Sequence, residues 1–143
     1  MIKAEHVLKD FEGFLALKGA SIHVSKGSIY GLVGPNGSGK TTIIRHLAGI
    51  YREDAGCVLV AGEPVYENSL VKERIAYIPD DIFYFNQANT LDMRNFYRGI
   101  YKNFDNILFN KLAEYFPKMD VKRNIRSLSK GMQKQVAFWL AIS

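Results

Sequence analysis

The sequence predicts an α/β fold with an antiparallel β part at the N-terminus, a parallel sheet around a glycine-rich loop, and a helical insertion. Two observations lead to this prediction. Before Val33 the apolar residues occur in short runs divided by glycines, which is typical of strands. From Leu91 onward the apolar residues recur with the period of a helix. Strands first and helices later favour a sheet core to which a helical segment is added.

The elements of the first half are predicted in order along the chain. Four strands are expected before the glycine-rich loop: Ile2–Leu8, Phe14–Leu17, Ala20–Val24 and Ser28–Val33. A helix is expected over Lys40–Ala48, with Gly49 as a left-handed stop. Cys57–Val60 and Ile75–Ile78 are predicted as two further strands, and Pro79 ends the second of them.

The second half is predicted to be helical. A helix over Leu91–Tyr101 follows Thr90, which is a suitable cap residue. Asp105 is expected to cap a helix over Asn106–Phe116, which Pro117 closes. The predicted organisation is a core over 1–85 that contains the glycine-rich loop and the antiparallel β subdomain, a helical subdomain over 86–127, and a final capped helix over 128–143.

Length and composition exclude several classes of protein. With 143 residues, 48% of them hydrophobic, the chain is long enough for one compact domain and too apolar to be disordered. Its net charge is +5, but all 14 acidic residues lie before Val121. The five surplus basic residues lie in one short stretch: Lys122, Arg123, Arg126, Lys130 and Lys134. Residues 1–120 are neutral, so we expect no nucleic-acid partner.

Cysteine content and hydropathy predict a cytoplasmic location. Cys57 is the only cysteine, which excludes an internal disulfide and fits a reducing compartment. The longest apolar run, Val136–Ile142, is far shorter than the ~20 residues that span a membrane, and the charged N-terminus lacks a signal peptide. The apolar helical pattern continues up to Ser143 without a cap or polar tail, so we expect a fragment of a longer chain.

A phosphate-binding loop follows the fourth predicted strand. The sequence GPNGSGKTT matches GxxxxGK[ST] between a strand and a helix, which is the context that the motif requires. The residues assigned to nucleotide contact are Gly34, Pro35, Asn36, Gly37, Ser38, Gly39, Lys40, Thr41 and Thr42. Lys40 is positioned for the β- and γ-phosphates and Thr41 for Mg²⁺. The motif predicts a P-loop NTPase fold of the RecA-like type, shared by kinases, GTPases, helicases and transport motors.

A second anion site is predicted where the last helix begins, in the sequence LSKGM. Ser129, 89 positions after Lys40, is a good N-cap, and Gly131 leaves its backbone N–H unobstructed. At this spacing from GPNGSGKTT, the chain resembles the ATP-binding cassette (ABC) family, whose signature is LSGGQ. Lys130 and Met132 replace the third and fifth signature positions. The resemblance implies that Ser129 and Gly131 contact the ATP held by a second, paired cassette.

The resemblance assigns two further residues. Phe11, 29 positions before Lys40, stands where the family has an aromatic residue that stacks on adenine; without the resemblance it is a packing residue. Asp80 stands where the family has a Gln that helps to hold Mg²⁺ and the attacking water. A carboxylate can bind Mg²⁺ but adds negative charge near the γ-phosphate. The alternative is a solvated turn at Asp80 and Asp81.

The run Ile82–Phe85 has two interpretations that the sequence leaves open. In the family this region borders the groove that accepts a short helix of the membrane subunit, and exposed aromatic residues suit such a contact. Packing in the core is the alternative. The three histidines have no ligand spacing and are predicted to have packing or surface roles.

The resemblance implies an ATPase subunit of a bacterial ABC transporter that binds ATP and Mg²⁺. Its expected partners are a second cassette and a transmembrane subunit, and its expected location is the cytoplasmic face of the cell membrane. The sequence LSKGMQKQ and the missing Gln are most similar to exporters of drugs, peptides or antibiotics. Lys40 and Asp80 are the catalytic candidates. A small-molecule or nucleotide kinase and a soluble, non-transport cassette are the alternatives, and cargo, direction and homo- or heterodimerisation stay open.

The family's general base for hydrolysis is not found in the sequence. In the family a Glu follows an apolar strand that ends in Asp, the Walker B motif, and no such Asp-Glu pair occurs here. The chain is therefore expected to be truncated before Walker B, and these 143 residues are expected to have no significant ATPase activity.

Overall fold

The computed structural model describes all residues, 1–143, and they form two compact units, Met1–Ile75 and Ala76–Ser143. The first unit contains every strand and the glycine-rich loop, and the second contains the three helices of the C-terminal half. The α/β class, the antiparallel N-terminal part and the helical second half are confirmed.

The first unit is built on a four-stranded antiparallel sheet with the order β2-β1-β3-β4. Its strands are β1 (Ile2–Phe11), β2 (Phe14–Val24), β3 (Ala55–Val60) and β4 (Glu63–Pro64). Helix α1 (Lys40–Leu47) packs against the sheet through the buried Ile43, and the short helix α2 (Ser69–Lys72) contributes Val71 to the same core. The buried strand residues of this core come from all three long strands: Ala4, Val7, Leu17, Ile22, Val58 and Val60.

The sequence predicts that Gly19 separates two strands, but in the structure Gly19 lies inside β2. Val7 pairs with Ala20 and Leu8 pairs with Lys18, so Gly19 is the extra residue of a β-bulge. Its φ of 90° is a conformation that glycine adopts without strain. The predicted strands Phe14–Leu17 and Ala20–Val24 are therefore one strand, because the bulge absorbs the glycine while pairing continues on both sides.

Two predicted strands, Ser28–Val33 and Ile75–Ile78, are not strands in the structure. All ladders within residues 1–143 are antiparallel, and neither segment is hydrogen-bonded into one. Ile29 and Val33 are 103% and 93% exposed. Their apolar, β-branched composition favours a strand, but a strand forms only where a neighbouring strand supplies hydrogen-bond partners.

The second unit packs three helices around Trp139. They are α3 (Thr90–Ile100), α4 (Asn106–Leu112) and α5 (Lys130–Ile142). The Trp139 ring stacks on Phe109 at 4.4 Å and on Phe116 at 5.2 Å, and its indole N–H donates a hydrogen bond to the Phe109 carbonyl at 2.9 Å. The buried indole is therefore packed against aromatic rings and also has a hydrogen-bond partner for its N–H, and it joins α5 to α4.

Helix capping in this unit differs in detail from the prediction. Asn89, not Thr90, caps α3, in a capping box with Asp92 whose two hydrogen bonds are both 3.0 Å long. Thr90 is instead completely buried. The predicted Asp105 cap of α4 is confirmed, but α4 ends at Leu112 and continues only as a 3₁₀ turn.

Asp54 joins the end of β1 to the start of β3. One carboxylate oxygen accepts a hydrogen bond from Lys9 Nζ at 2.8 Å, and the other accepts one from the Asp10 backbone N–H at 2.7 Å. The Asp54 backbone N–H donates to the Leu8 carbonyl at 3.0 Å. The Asp10 amide, followed by the Lys9 ammonium, holds the pKa of Asp54 below its usual value.

A lowered pKa in the folded state predicts an acid-dependent contribution to stability. Asp54→Asn should lower the melting temperature at about pH 7. The difference should begin to shrink as the pH falls below about 4, the value of an unfolded carboxyl, and should close only below the lowered pKa of Asp54, where the folded wild-type carboxylate is protonated. The measurement is thermal unfolding of both variants between about pH 7 and 3. Glu63→Gln, an exposed residue of β4, is the control; a gap for Asp54→Asn that persists at low pH would contradict the assignment.

Candidate nucleotide-binding site

The glycine-rich loop leaves the N-terminus of α1 open to an anion. Gly37 and Gly39 have φ values of 82° and 83°, and the Ser38 N–H donates to the Pro35 carbonyl at 3.3 Å. Gly39 is the N-cap residue, has no side chain to cap the helix, and is followed by a first turn without acidic residues. The first amides of α1 thus lack intrahelical partners and carry the positive end of the helix dipole. This arrangement is suited to phosphate.

Lys40 folds back over this loop. Its ammonium donates to the Gly34 carbonyl at 2.7 Å and the Pro35 carbonyl at 2.6 Å, and lies 3.5 Å from Ser38 Oγ. The loop therefore holds a half-buried cation beside the open helix end. An entering phosphate oxygen would exchange these neutral carbonyl acceptors for a charged one, which gives a stronger hydrogen bond.

Gly39 brings the β1–β2 hairpin into contact with the start of α1. A Cβ atom at this position would lie 2.8 Å from the Ala16 carbonyl oxygen and 2.9 Å from Leu17 Cδ2. At Gly34 a Cβ would lie 2.9 Å from Ser38 Oγ. At Gly39 the absence of a side chain is therefore a requirement of packing against backbone as well as of backbone conformation, whereas at Gly34 the close neighbour is a side-chain hydroxyl.

A metal ion at this site needs ligands from a bound nucleotide. The structure contains no group of three or more His, Cys, Asp or Glu residues that could hold an ion. Thr41 is exposed on the first turn of α1, beside Lys40, and its hydroxyl is the hard oxygen donor that Mg²⁺ accepts. The chain thus fits a metal that is held mainly by phosphate oxygens and water, with Thr41 as one protein ligand.

Phe11 lies at the tip of the same β1–β2 hairpin and is 38% exposed. Its ring makes an edge contact with Tyr51 at a centroid distance of 5.4 Å, and Lys9 Nζ lies 5.5 Å from its centre. Phe11 is thus held by side chains while a third of it stays open to solvent. A planar base could stack on this open part.

The second predicted anion site lies at the N-terminus of helix α5. Ser129 is the N-cap of α5, as predicted, and its Oγ accepts a hydrogen bond from the Met132 N–H at 3.3 Å. The helix begins at Lys130, directly after this cap. No atom lies within 4 Å of where a Gly131 Cβ would stand, so its backbone is open to an approaching ligand. The proposed contacts with a second cassette's ATP stay a prediction.

Asp80 is exposed, and its carboxylate pairs with Lys134 of α5 at 3.3 Å. The two residues are 54 positions apart, so sequence reasoning missed the pair. They line an open cleft together with Asp81, Ile82, Lys130 and Gln133. The predicted role of Asp80 at Mg²⁺ stays a prediction. The structure shows that the Lys134 ammonium lies beside the Asp80 carboxylate.

The run Ile82–Phe85 divides between the two interpretations. Tyr84 belongs to the core: it is buried, its hydroxyl donates to the Gln133 carbonyl at 2.6 Å, and burial raises its pKa. Phe83 and Phe85 are 68% and 41% exposed and contact each other edge to face. Neighbouring residues of this run differ in exposure, with Tyr84 in the core and Phe83 and Phe85 outside it, so neither interpretation fits the whole run.

The fold and the loop define the class of this protein. A phosphate-binding loop that closes over its own lysine at the head of a helix, next to an antiparallel sheet, identifies a P-loop nucleotide-binding protein. A family model described as ABC transporter matches residues 17–143, and the chain belongs to this family. ABC ATPase domains bind ATP, generally with Mg²⁺, hydrolyse it, and typically dimerise and pair with transmembrane subunits.

Curated relatives include proteins of both transport directions. The chain is 32% identical to the ABC transporter ATP-binding protein YtrB of Bacillus subtilis over 143 residues, which is 100% of this chain and 49% of YtrB. It is 31% identical to the Nod factor export ATP-binding protein I of Burkholderia pseudomallei, over 99% of this chain and 48% of the relative. A ribose import ATP-binding protein, RbsA of Pseudomonas putida, is 48% identical over 45% of this chain and 12% of its own length.

Solved structures share the fold. An ATP binding subunit of an ABC transporter superposes with a TM-score of 0.83 at 19% identity, over 98% of this chain and 60% of that chain. A bacterial Atm1-family ABC exporter with ATP bound gives a TM-score of 0.79 at 20% identity, over 99% of this chain and 27% of that chain. The chain spans about half the length of YtrB and of the Nod factor export protein.

The close approach at Gly39 predicts a large effect of a single methyl group. Gly39→Ala should destabilise the protein by about 1–3 kcal/mol, because the alanine is strained at φ 83° and its Cβ meets the Ala16 carbonyl. Gly99→Ala is the matched control: it lies in α3 with open space around it and should stabilise by about 0.5–1 kcal/mol. Chemical denaturation measures both, and equal effects would refute the close approach.

Proposed function

We propose that this chain is the ATP-binding part of the ATPase subunit of an ABC transporter, which couples ATP binding and hydrolysis to solute export across the cytoplasmic membrane. The observation that carries the proposal is the Lys40 ammonium, held by the Gly34 and Pro35 carbonyls over the open N-terminus of α1. The ammonium and the open helix end together offer a binding site for phosphate, in a chain that belongs to the ABC family.

Each proposed contact follows from what the residue offers. The backbone N–H groups of the loop Gly34–Thr42, apart from Pro35, which has none, bind the phosphates together with the Lys40 ammonium, and the Thr41 hydroxyl is a ligand of Mg²⁺. Mg²⁺, when bound, neutralises charge on the phosphate oxygens. Phe11 stacks on the base. Ser129 and Gly131 offer a hydroxyl and an amide to the ATP of a second cassette.

Hydrolysis needs a group that positions and deprotonates water. Lys40 supplies charge compensation, and Asp80 is proposed as a further contact of the metal, with Lys134 offsetting its negative charge. No residue among the 143 is assigned as the general base. We therefore expect residues 1–143 by themselves to show no significant ATP turnover.

Export is the proposed direction of transport. The Nod factor export protein aligns over 99% of this chain, whereas the ribose and arabinose import proteins align over 45% and 55%. The resemblance described above supports the same direction. The signature region LSKGMQKQ and the replacement of the family's Gln by Asp80 are most similar to exporters. The transported substrate is not specified by any of these features.

A transmembrane subunit is the proposed partner at the exposed aromatic residues of the second unit. Phe85 makes edge-to-face contacts with Phe83 at 5.2 Å and with Phe96 at 4.8 Å, and all three rings are exposed. Such a patch suits the apolar face of a partner helix. The proposed location is accordingly peripheral, on the cytoplasmic face of the membrane.

No helix in the structure is long and apolar enough to cross a membrane.

Removing the Lys40 ammonium tests the phosphate site. Lys40→Ala should lower the affinity for Mg·ATP about tenfold or more, because a charge-assisted contact contributes roughly 1.5–3 kcal/mol. Isothermal titration calorimetry on the full-length protein measures this. Lys118→Ala, an exposed lysine of the second unit, is the matched control and should leave the affinity unchanged. Equal affinities of the Lys40→Ala variant and the wild type would reject the site.

Substitution of Phe11 tests recognition of the base. Phe11→Ala should weaken ATP binding by roughly 1–3 kcal/mol, whereas Phe11→Tyr should be nearly neutral, because stacking requires only a flat ring. Discrimination between ATP and GTP should be weak for the same reason. Phe14→Ala removes the exposed ladder partner of Phe11 and serves as the control. A strong ATP preference that survives Phe11→Ala would assign base recognition to other residues.

A further inference from the structure

Tyr51 lies between helix α1 and the tip of the β1–β2 hairpin. Its ring contacts the Phe11 ring edge to face at 5.4 Å and the ring of the buried His46 at 5.7 Å. Its hydroxyl accepts a hydrogen bond from the Arg45 guanidinium at 2.9 Å. Arg45 and His46 belong to α1, so Tyr51 connects the helix that follows the phosphate loop to the aromatic residue at the hairpin tip.

The backbone around Tyr51 is fixed to the C-terminus of α1. Gly49 has a φ of 67°, and its N–H donates to the His46 carbonyl at 2.8 Å. The N–H groups of Ile50 and Tyr51 both donate to the Arg45 carbonyl, at 2.8 and 3.4 Å. This is a left-handed helix end, which sets the direction of the chain after α1 and so the position of the Tyr51 ring.

Phe11 depends on its neighbours for its orientation. It is the last residue of β1, and 38% of its surface is exposed to solvent. Tyr51 contacts the Phe11 ring edge to face, and Lys9 Nζ lies 5.5 Å from the ring centre while bonded to Asp54. A stacking contact needs a ring that is already oriented, because ordering it during binding reduces the affinity.

We propose that Tyr51 is a positioning residue, which holds the Phe11 ring in the orientation that receives the nucleotide base and ties that orientation to α1. The inference rests on the proposed function, in which Phe11 stacks on the base. Tyr51 is thus proposed to contribute to the affinity for the nucleotide base and not to the affinity for the phosphates.

The test separates these two parts of the affinity by the choice of ligand. Binding of Mg·ATP and of Mg·tripolyphosphate, which has no base, is measured by calorimetry on the full-length protein. Tyr51→Leu should weaken ATP binding about 3- to 10-fold, the equivalent of one aromatic pair contact, and leave tripolyphosphate binding unchanged. Tyr51→Phe keeps the ring and should restore most of the ATP affinity. Tyr66→Leu, a half-buried tyrosine of the same unit, is the matched control and should change neither.

A double variant distinguishes positioning from general destabilisation. In a Phe11→Ala background, Tyr51→Leu should cause no further loss of ATP affinity, because there is no ring left to orient. Additive losses, or an equal loss for ATP and tripolyphosphate, would overturn the role of Tyr51. If Phe11→Ala leaves ATP binding unchanged, base stacking fails and this inference fails with it. If Lys40→Ala leaves binding of both ligands unchanged, the proposed phosphate site itself is wrong.

Discussion

The contact between Gly39 and the β1–β2 hairpin is the constraint on which the candidate site depends. The Ala16 carbonyl and the Leu17 side chain lie so close to Gly39 that no side chain fits between them. This packing places the open end of α1 directly on the sheet, and the same hairpin carries Phe11 at its tip. One glycine thus allows the phosphate loop and the aromatic residue to belong to one compact unit, because a close backbone approach is possible only without a Cβ.

Polar and aromatic contacts in the first unit hold both the β1–β2 hairpin and α1 in this arrangement. Asp54 ties Lys9 and the end of β1 to β3, while Tyr51 ties the hairpin tip to α1. Lys40 is held by the neutral carbonyl groups of Gly34 and Pro35, for which a charged phosphate oxygen would be a stronger acceptor.

The second unit is organised by apolar packing and offers its polar groups at the start of α5. Trp139 stacks on two aromatic rings and satisfies its N–H inside the core. Ser129 caps the helix, and the ion pair between Asp80 and Lys134 links the loop before the helical segment to the first turns of α5. The core thus supports an exposed surface of charged and aromatic side chains.

The sequence by itself determined the phosphate loop, the Ser129 and Asp105 caps, the left-handed end at Gly49 and the family, because these depend on local residue types at fixed spacing. Tertiary structure decided the rest. Gly19 lies within a strand because pairing on both sides tolerates a bulge, and Ser28–Val33 is not a strand because no neighbour pairs with it. Tyr51 and Lys134 find partners 40 and 54 positions away. Local patterns do not specify which distant residues meet, since that depends on how the elements pack.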